Sequence, residues 1–314
     1  PSDSGFGEAL KKVETVIYTG NRNDDTGSQA HWVLPAGSSL ETWGDYEFQS
    51  GVFSIQQPTI MPLYQTRSLG ELLLAWTQTS AQGSAKAKAA ASWLEYVKAT
   101  WKSDIQSKVE LGRGQSFDDF WLAVLQTGVA TTSVRRDRTG SARAFVGSVT
   151  YKPTVAEGYE LVLYPTVQLA DGRLANIAWL QELPDPVSKV VWDNYLAVSP
   201  AMARKEGLKA GDVVELTVSG KTVKAPVLVQ PGLHDEVMGL AVGYGQKHAG
   251  KVADGLGVDA YQLSSFATGK PVFSGLKASF KKTSGRYELA STQDHHLMEG
   301  RKIVIEATNS AYQK

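Results

Sequence analysis

Cysteine is missing from all 314 residues. That absence excludes disulfides, thiol nucleophiles, thiolate-held zinc and Cys-ligated iron–sulfur clusters from this stretch of chain. Neither sign of charge is in excess, since 32 Lys and Arg balance 32 Asp and Glu. A dedicated nucleic-acid binder, which neutralises many phosphates with basic side chains, is not expected from that balance. Long hydrophobic runs are lacking too: none reaches the ~18 apolar residues of a membrane-spanning helix, and no charged-then-apolar leader opens the chain. Pro1 stands where an initiator Met would, so the sequence reads as a processed product or a piece of something longer. What is present is ordinary core material, 42% apolar and 9% aromatic. The length suggests two domains, or one large and one small.

The periodicity changes along the chain. Val13–Tyr18 and His31–Leu34 read as short strands around the polar loop Asn21–Ser28, which suits the end of an α/β unit. Gly37–Pro62 carries aromatic and proline residues without helical period and is expected to be an ordered, irregular loop. Ser68-Leu-Gly-Glu71 has the capping-box form, in which hydroxyl and carboxylate satisfy free backbone N–H groups, so a helix starts there. Ala85–Lys108 predicts one amphipathic helix, with Trp93, Val97, Trp101 and Ile105 on a single face. That stripe is read as core, with partner contact as the other use. Ser116 caps a third helix over Phe117–Gln126, and Gly128 stops it. From Phe145 onward the chain turns to short β-rich runs: Phe145–Tyr151, Tyr159–Tyr164, Val190–Val198, Val213–Val218, Thr222–Val229, Val272–Phe280 and Ile303–Ala307. Their spacing, with turns at Ser219-Gly220 and Pro231-Gly232, predicts a barrel or sandwich. The boundary is placed in the basic segment Thr131–Arg143. Residues 1–140 then form the α/β and helical portion, and 141–314 the barrel with a C-terminal extension.

Two constellations come near to known chemistry. Gly245-Gln-Lys-His-Ala-Gly250-Lys251 approaches a phosphate-binding loop, but Val252 stands where a hydroxyl should hold magnesium, so an NTPase is not expected. The surrounding glycines, from Gly239 to Gly257, imply backbone lying close to a ligand or another chain, or else a flexible barrel loop. In Asp294-His295-His296-Leu-Met-Glu299-Gly-Arg301, His295, His296 and Glu299 are candidates for a metal, because His295 and Glu299 would share a helix face. Zinc catalysis would need a third convergent ligand. A packing or docking role for the segment stays open beside it. The basic run Arg135-Arg-Asp-Arg138 reads as a solvated linker, or as a partner contact.

Several segments together carry a family likeness. They are His31-Trp-Val-Leu-Pro-Ala36, Leu40-Glu-Thr-Trp-Gly-Asp45, Ser54-Ile-Gln-Gln-Pro58, Met61-Pro-Leu63, Arg67-Ser68 and Trp179-Leu-Gln-Glu-Leu-Pro-Asp-Pro186. Trp192-Asp-Asn194, Gly207-Leu-Lys-Ala-Gly-Asp-Val-Val-Glu-Leu216, Gln230-Pro-Gly232 and Gln293–Arg301 complete the set. On these residues the chain resembles the C-terminal half of the molybdopterin oxidoreductase superfamily. Within it, the likeness is strongest to the molybdopterin-like part of the iron–sulfur subunit of alternative complex III, a membrane quinol-oxidising complex.

The resemblance implies the end of an α/β domain with a helical segment, followed by a double-psi β-barrel. It also implies which residues would face a pterin dinucleotide if one is bound: Thr166, Gln168, Asn176, Gly243, Tyr244, Gly245 and Asp259. Two departures speak against binding. Tyr164-Pro-Thr-Val-Gln168 lacks an Arg that could pair with a pyrophosphate bidentately, and Asp259 sets a carboxylate near an anionic ligand. The expectation is a cofactor-free scaffold with no catalytic residue of its own, and with iron–sulfur clusters in parts of the full-length protein not covered here. Its partners would be other subunits of a membrane-bound respiratory complex, including an iron–sulfur cluster domain and a haem protein. Its location would be the periplasm, or the outer face of the cytoplasmic membrane. The rival expectation is part of a molybdenum or tungsten enzyme whose barrel holds molybdopterin guanine dinucleotide.

Overall fold

The computed structural model describes residues 5–132, 158–267, 270–293, 300–301 and 306–313. Contacts divide the chain into two units, Thr15–Lys152 and Pro1–Glu14 with Pro153–Lys314. A short helix, α1 (Phe6–Leu10), belongs to the latter.

In the Thr15–Lys152 unit, β1 (Ile17–Gly20) and β2 (Trp32–Pro35) form a parallel pair. Both strands sit slightly later than the sequence suggests. Pairing begins at Val16, whose carbonyl accepts from His31 and Trp32 and whose N–H donates to the His31 ring. The expected irregular loop at Gly37–Pro62 instead contains a hairpin, β3 (Gly44–Gln49) and β4 (Val52–Gln56), joined on its far edge by β5 (Val129–Thr131). Gly51 makes the turn at φ 79, with its N–H held by Glu47. The alternation of a half-buried strand is absent because β3 is exposed over its last four residues.

The capping box at Ser68 and Glu71 forms in both directions and starts α2 (Leu69–Thr79). The single helix expected over Ala85–Lys108 is broken into α3 (Ala85–Ala89), α4 (Trp93–Thr100) and a π-helical turn over Trp101–Ile105. Serine chemistry explains the break. Ser84 and Ser92 each accept from the backbone N–H three residues on, and Gln78 donates to the Ala87 and Ala90 carbonyls left over at the end of α3. Helix α5 (Phe117–Thr127) begins at the Ser116 cap and ends at Gly128, at φ 72. Val97, Trp101 and Ile105 are buried with Phe120, Trp121 and Val124, and the Trp101 and Trp121 rings meet edge to face at 6.1 Å. The stripe is therefore core and is not available to a partner.

The other unit runs through β6 (Tyr159–Tyr164), α6 (Ala178–Gln181), β7 (Leu196–Val198), α7 (Pro200–Glu206), β8 (Asp212–Val218), β9 (Lys221–Val229) and β10 (Val237–Ala241). The hairpin β11 (Ser265–Ala267) and β12 (Lys270–Val272), then β13 (Leu276–Arg286) and α8 (Asn309–Tyr312), complete it. Six strands close a barrel in the order β10-β6-β13-β8-β9-β7, with parallel pairings at β6–β10 and β7–β9. Strand β8 alternates buried and half-buried residues along its whole length, and Leu161, Leu196, Val214, Leu216, Met238 and Leu240 fill the interior. Ser219 and Gly220, both at positive φ, turn β8 into β9.

The run Val190–Val198 is strand only at its end, because Lys189 (φ 63) and Trp192 (φ 68) are left-handed. Val272–Phe280 splits at Gly275 (φ 69). Strand β10 escaped the pattern reading because four of its five residues are buried, so no alternation shows. The runs Phe145–Tyr151 and Arg135–Arg138, and most of Ile303–Ala307, lie outside the described residues. Among the described residues no helix is long and apolar enough to cross a membrane.

Asp212 ties the barrel seam together. Its side chain is 6% exposed, accepts from the Lys209 N–H and meets Lys282 Nζ at 2.7 Å and Arg286 Nη1 at 3.6 Å. The Lys282 ammonium holds this carboxyl below its usual range. A depressed carboxyl stabilises the fold above the unfolded pKa of about 4, and that contribution is lost as pH falls through the folded value. Asp212→Asn is expected to cost about 2 kcal/mol at neutral pH and to flatten the acid limb below about pH 4. Urea unfolding across pH checks this; parallel acid limbs for parent and variant would refute it.

Candidate cofactor-facing site

Strands β6 and β10 are parallel, with Tyr164 opposite Ala241, so the segments that follow them leave the barrel side by side. Segment 165–176 and segment 242–259 then cross at two glycines. Gly172 (φ 101) and Gly243 (φ 98) touch so closely that a Cβ on Gly172 would stand 2.7 Å from the Gly243 Cα. Gln246 clamps the crossing by donating to both carbonyls, at 2.9 and 3.0 Å. Tyr261 adds a hydroxyl bond to the Asp171 carbonyl.

All seven residues named from the resemblance lie on these two segments or at the turn that follows the second. Most of their polar atoms are committed locally. Thr166 Oγ1 accepts from Leu169 N, and Asn176 Oδ1 accepts from Val252 N. The Gly245 N–H donates to the Leu256 carbonyl, and a Cβ there would collide with the Asp259 backbone. Asp259 accepts from Tyr261 N and Gln262 Nε2, starting the tight turn Ala260–Leu263. The phosphate-loop lookalike is likewise spent: Ala249 and Gly250 N–H both donate to Asp254, and the residues that follow, 251–255, form a turn where the motif needs a helix.

Gln168 differs. It is 4% exposed, its Nε2 donates to the Leu183 carbonyl, and its Oε1 has no hydrogen-bond partner. It lines a small cavity of about 10 Å³ with Tyr164, Thr166, Asp185, Asp193, Asn194, Tyr195 and Tyr244. Burial pushes the Tyr164 phenol well up and the Tyr244 phenol up to about 12. Burial also raises the Asp193 carboxyl, although the Tyr287 hydroxyl donates to it at 2.8 Å. Tyr195 donates to Ser188, which donates to Asp185 Oδ1. Asn194 is fully engaged, with its amide holding the Ala241 and Val258 carbonyls and its oxygen the Val258 N–H. Three non-glycine residues at positive φ, Ala170, Lys189 and Trp192, lie in the segments around this cavity. Such strain gathers where the surroundings over-determine the backbone.

Sequence reasoning missed Gly172, Gln246, Asp185, Asp193 and Tyr195. The Asp171-Gly172 turn dipeptide is the one signal that could have flagged the crossing. His295, His296 and Glu299 lie outside the described residues, and among the described residues no three His, Asp or Glu side chains gather as a metal site would need.

A pterin dinucleotide needs backbone donors and cations for its phosphates and open edges for its bases. Here the segments bind one another. Arg173, the basic residue of the first segment, is chelated by Asp171. Two carboxylates and no Lys, Arg or His line the cavity, which admits a single water-sized body. The cavity does not fit the dinucleotide, and the second segment's basic residues, Lys247, His248 and Lys251, lie outside its lining.

No family model matches the chain. It is 24% identical over 288 residues to the menaquinone reductase molybdopterin-binding-like subunit of Nitratidesulfovibrio vulgaris, covering 85% of this chain but 37% of that protein. It is 33% identical over 67 residues to the thiosulfate reductase molybdopterin-containing subunit PhsA of Salmonella typhimurium, which is 21% of this chain and 9% of that one. Acetylene hydratase from Pelobacter acetylenicus shares the fold, with a TM-score of 0.61 at 14% identity over 88% of this chain and 41% of its own. The chain thus spans well under half the length of these proteins. In its closed six-stranded barrel and in its sequence likeness to these reductase subunits, the chain is similar to the barrel-containing C-terminal region of molybdopterin oxidoreductase superfamily proteins.

Proposed function

We propose that the chain is the barrel-bearing region of an electron-transfer oxidoreductase subunit in a membrane quinol-oxidising respiratory complex. In this reading it sits at the outer face of the cytoplasmic membrane and works as a docking scaffold without a pterin dinucleotide of its own. The observation that carries the proposal is the closure of segments 165–176 and 242–259 on each other through Gly172, Gly243, Gln246 and Asn176. The likeness along 85% of the chain to a subunit named molybdopterin-binding-like, from a menaquinone reductase, supports the respiratory setting. Surfaces left for partners support the scaffold role. Ile17 and Trp32 pair side by side on the β1–β2 ladder and both are largely exposed, and Leu69, Leu73 and Trp76 make a half-exposed stripe along α2. Parallel ladders are ordinarily covered on both faces, so this one is suited to receive further structure.

The test is elemental and pterin analysis of the intact subunit purified from its native membrane. Molybdenum, tungsten and pterin are each expected far below stoichiometry; near-stoichiometric metal with pterin would sink the scaffold reading. The 67-residue likeness to a molybdopterin-containing thiosulfate reductase subunit favours the second reading, a region of a true molybdenum or tungsten enzyme. The same measurement decides between them.

A further inference from the structure

The cavity beside Gln168 has features that a dinucleotide does not explain, and we propose that it binds one potassium-sized monovalent cation, with Gln168 Oε1 among its ligands. This rests on the reading that no pterin dinucleotide occupies the neighbouring loops.

The orientation of the Gln168 amide is fixed, because flipping it would set its oxygen against the Leu183 carbonyl oxygen. Its Oε1 is therefore a true acceptor, buried and without a partner. Leaving such a group unsatisfied costs about 1–3 kcal/mol, so the site calls for a positive or proton-donating guest. The other lining groups sharpen the choice. Asp185, Asp193, Tyr164 and Tyr195 also line the space, and no basic side chain does. Tyr195 sends its proton away to Ser188. Lys189, the nearby cation, turns its ammonium to the Pro186 carbonyl. Two carboxylates drawn partly out of water favour a cation over a neutral water. The volume of about 10 Å³ admits one body the size of a water molecule, which is close to the size of potassium. A divalent ion binds through carboxylate oxygens free to coordinate it, and here Asp185 Oδ1 already accepts from Val187 N, Ser188 N and Ser188 Oγ while Asp193 Oδ2 accepts from the Tyr287 hydroxyl, which leaves a weakly held monovalent ion as the better match.

The test is thermal unfolding of the chain in potassium, sodium and tetramethylammonium chloride at equal ionic strength, with rubidium retention measured by equilibrium dialysis. A saturable rise of roughly 4 °C in potassium alone is expected, with about one rubidium held per chain and displaced by potassium. Gln168→Met should abolish the potassium-specific rise, and Asp185→Asn should weaken rubidium retention about tenfold or more. Equal melting temperatures in the three salts, or substoichiometric rubidium on the parent chain, would overturn the proposal in favour of a buried water. The readout is separate from the molybdenum and pterin analysis, so either idea can fail alone.

Discussion

Replacing Trp101 with Ala is expected to cost about 4 kcal/mol or more, enough to unfold much of a unit of ordinary stability. The indole has no solvent exposure and touches three aromatic neighbours, Phe53, Phe120 and Trp121. Its Nε1 also donates to Asp45 Oδ2 at 3.0 Å, a carboxylate that is itself partly desolvated. The substitution therefore opens a large cavity and strips a donor from a buried acceptor, two penalties that act together. Trp32→Ala is the control, since that ring is 64% exposed and its loss should fall within about 0.5 kcal/mol. Urea unfolding followed by circular dichroism gives both values. A Trp101 variant within about 1 kcal/mol of the parent would show that the aromatic cluster is not the core of this unit.

A comparable loss, about 3 kcal/mol or more, is expected from Gly172→Ala at the crossing of the two segments. Two causes combine there. The backbone φ of 101 is one that side-chain-bearing residues rarely adopt, and the new methyl would stand 2.7 Å from the Gly243 Cα, which cannot swing aside as a long side chain can. Gly232→Ala separates these causes. Its φ is 89 but nothing lies within 4 Å of the added carbon, so it should cost about 1 kcal/mol from the dihedral alone. Hydrogen exchange at Val252 and Val258, whose N–H groups are held by Asn176 and Asn194, should quicken in the Gly172 variant and not in the Gly232 variant. If the two variants lose the same stability, the close crossing contributes nothing.

The sequence was most readable where local chemistry decides the structure. Ser68 with Glu71, and Ser116 with Gly128, marked helix ends because a hydroxyl or a left-handed glycine satisfies backbone groups within a few residues. Strands β8 and β9 were legible from alternation and an intervening turn. The same reasoning failed at Ser92, where a cap lay hidden inside an Ala- and Lys-rich run, and at β10, whose burial erases alternation. The β3–β4 hairpin was missed because its exposed tyrosine and phenylalanine break the expected pattern. At the site, Gly243 and Gly245 could be suspected from the glycine series, and the other named residues came from family likeness. The grouping of Gln168 with Asp185, Asp193 and Tyr195 depends on tertiary packing that no spacing rule encodes.

The barrel's strand order has a consequence for how the chain can be made. Strand β13 pairs with both β6 and β8, and β10 pairs with both β6 and β7, so each closing contact joins stretches far apart in sequence. Until Leu276–Arg286 has been synthesised, β6 and β8 keep bare edges. A growing chain in that state is slow to fold and open to edge-to-edge association, because distant strand pairings bear their loop-closure entropy before contacts reward it. The barrel therefore stays an unclosed sheet until its last long strand is available, and the arrival of that strand sets the moment at which the edges of β6 and β8 are covered.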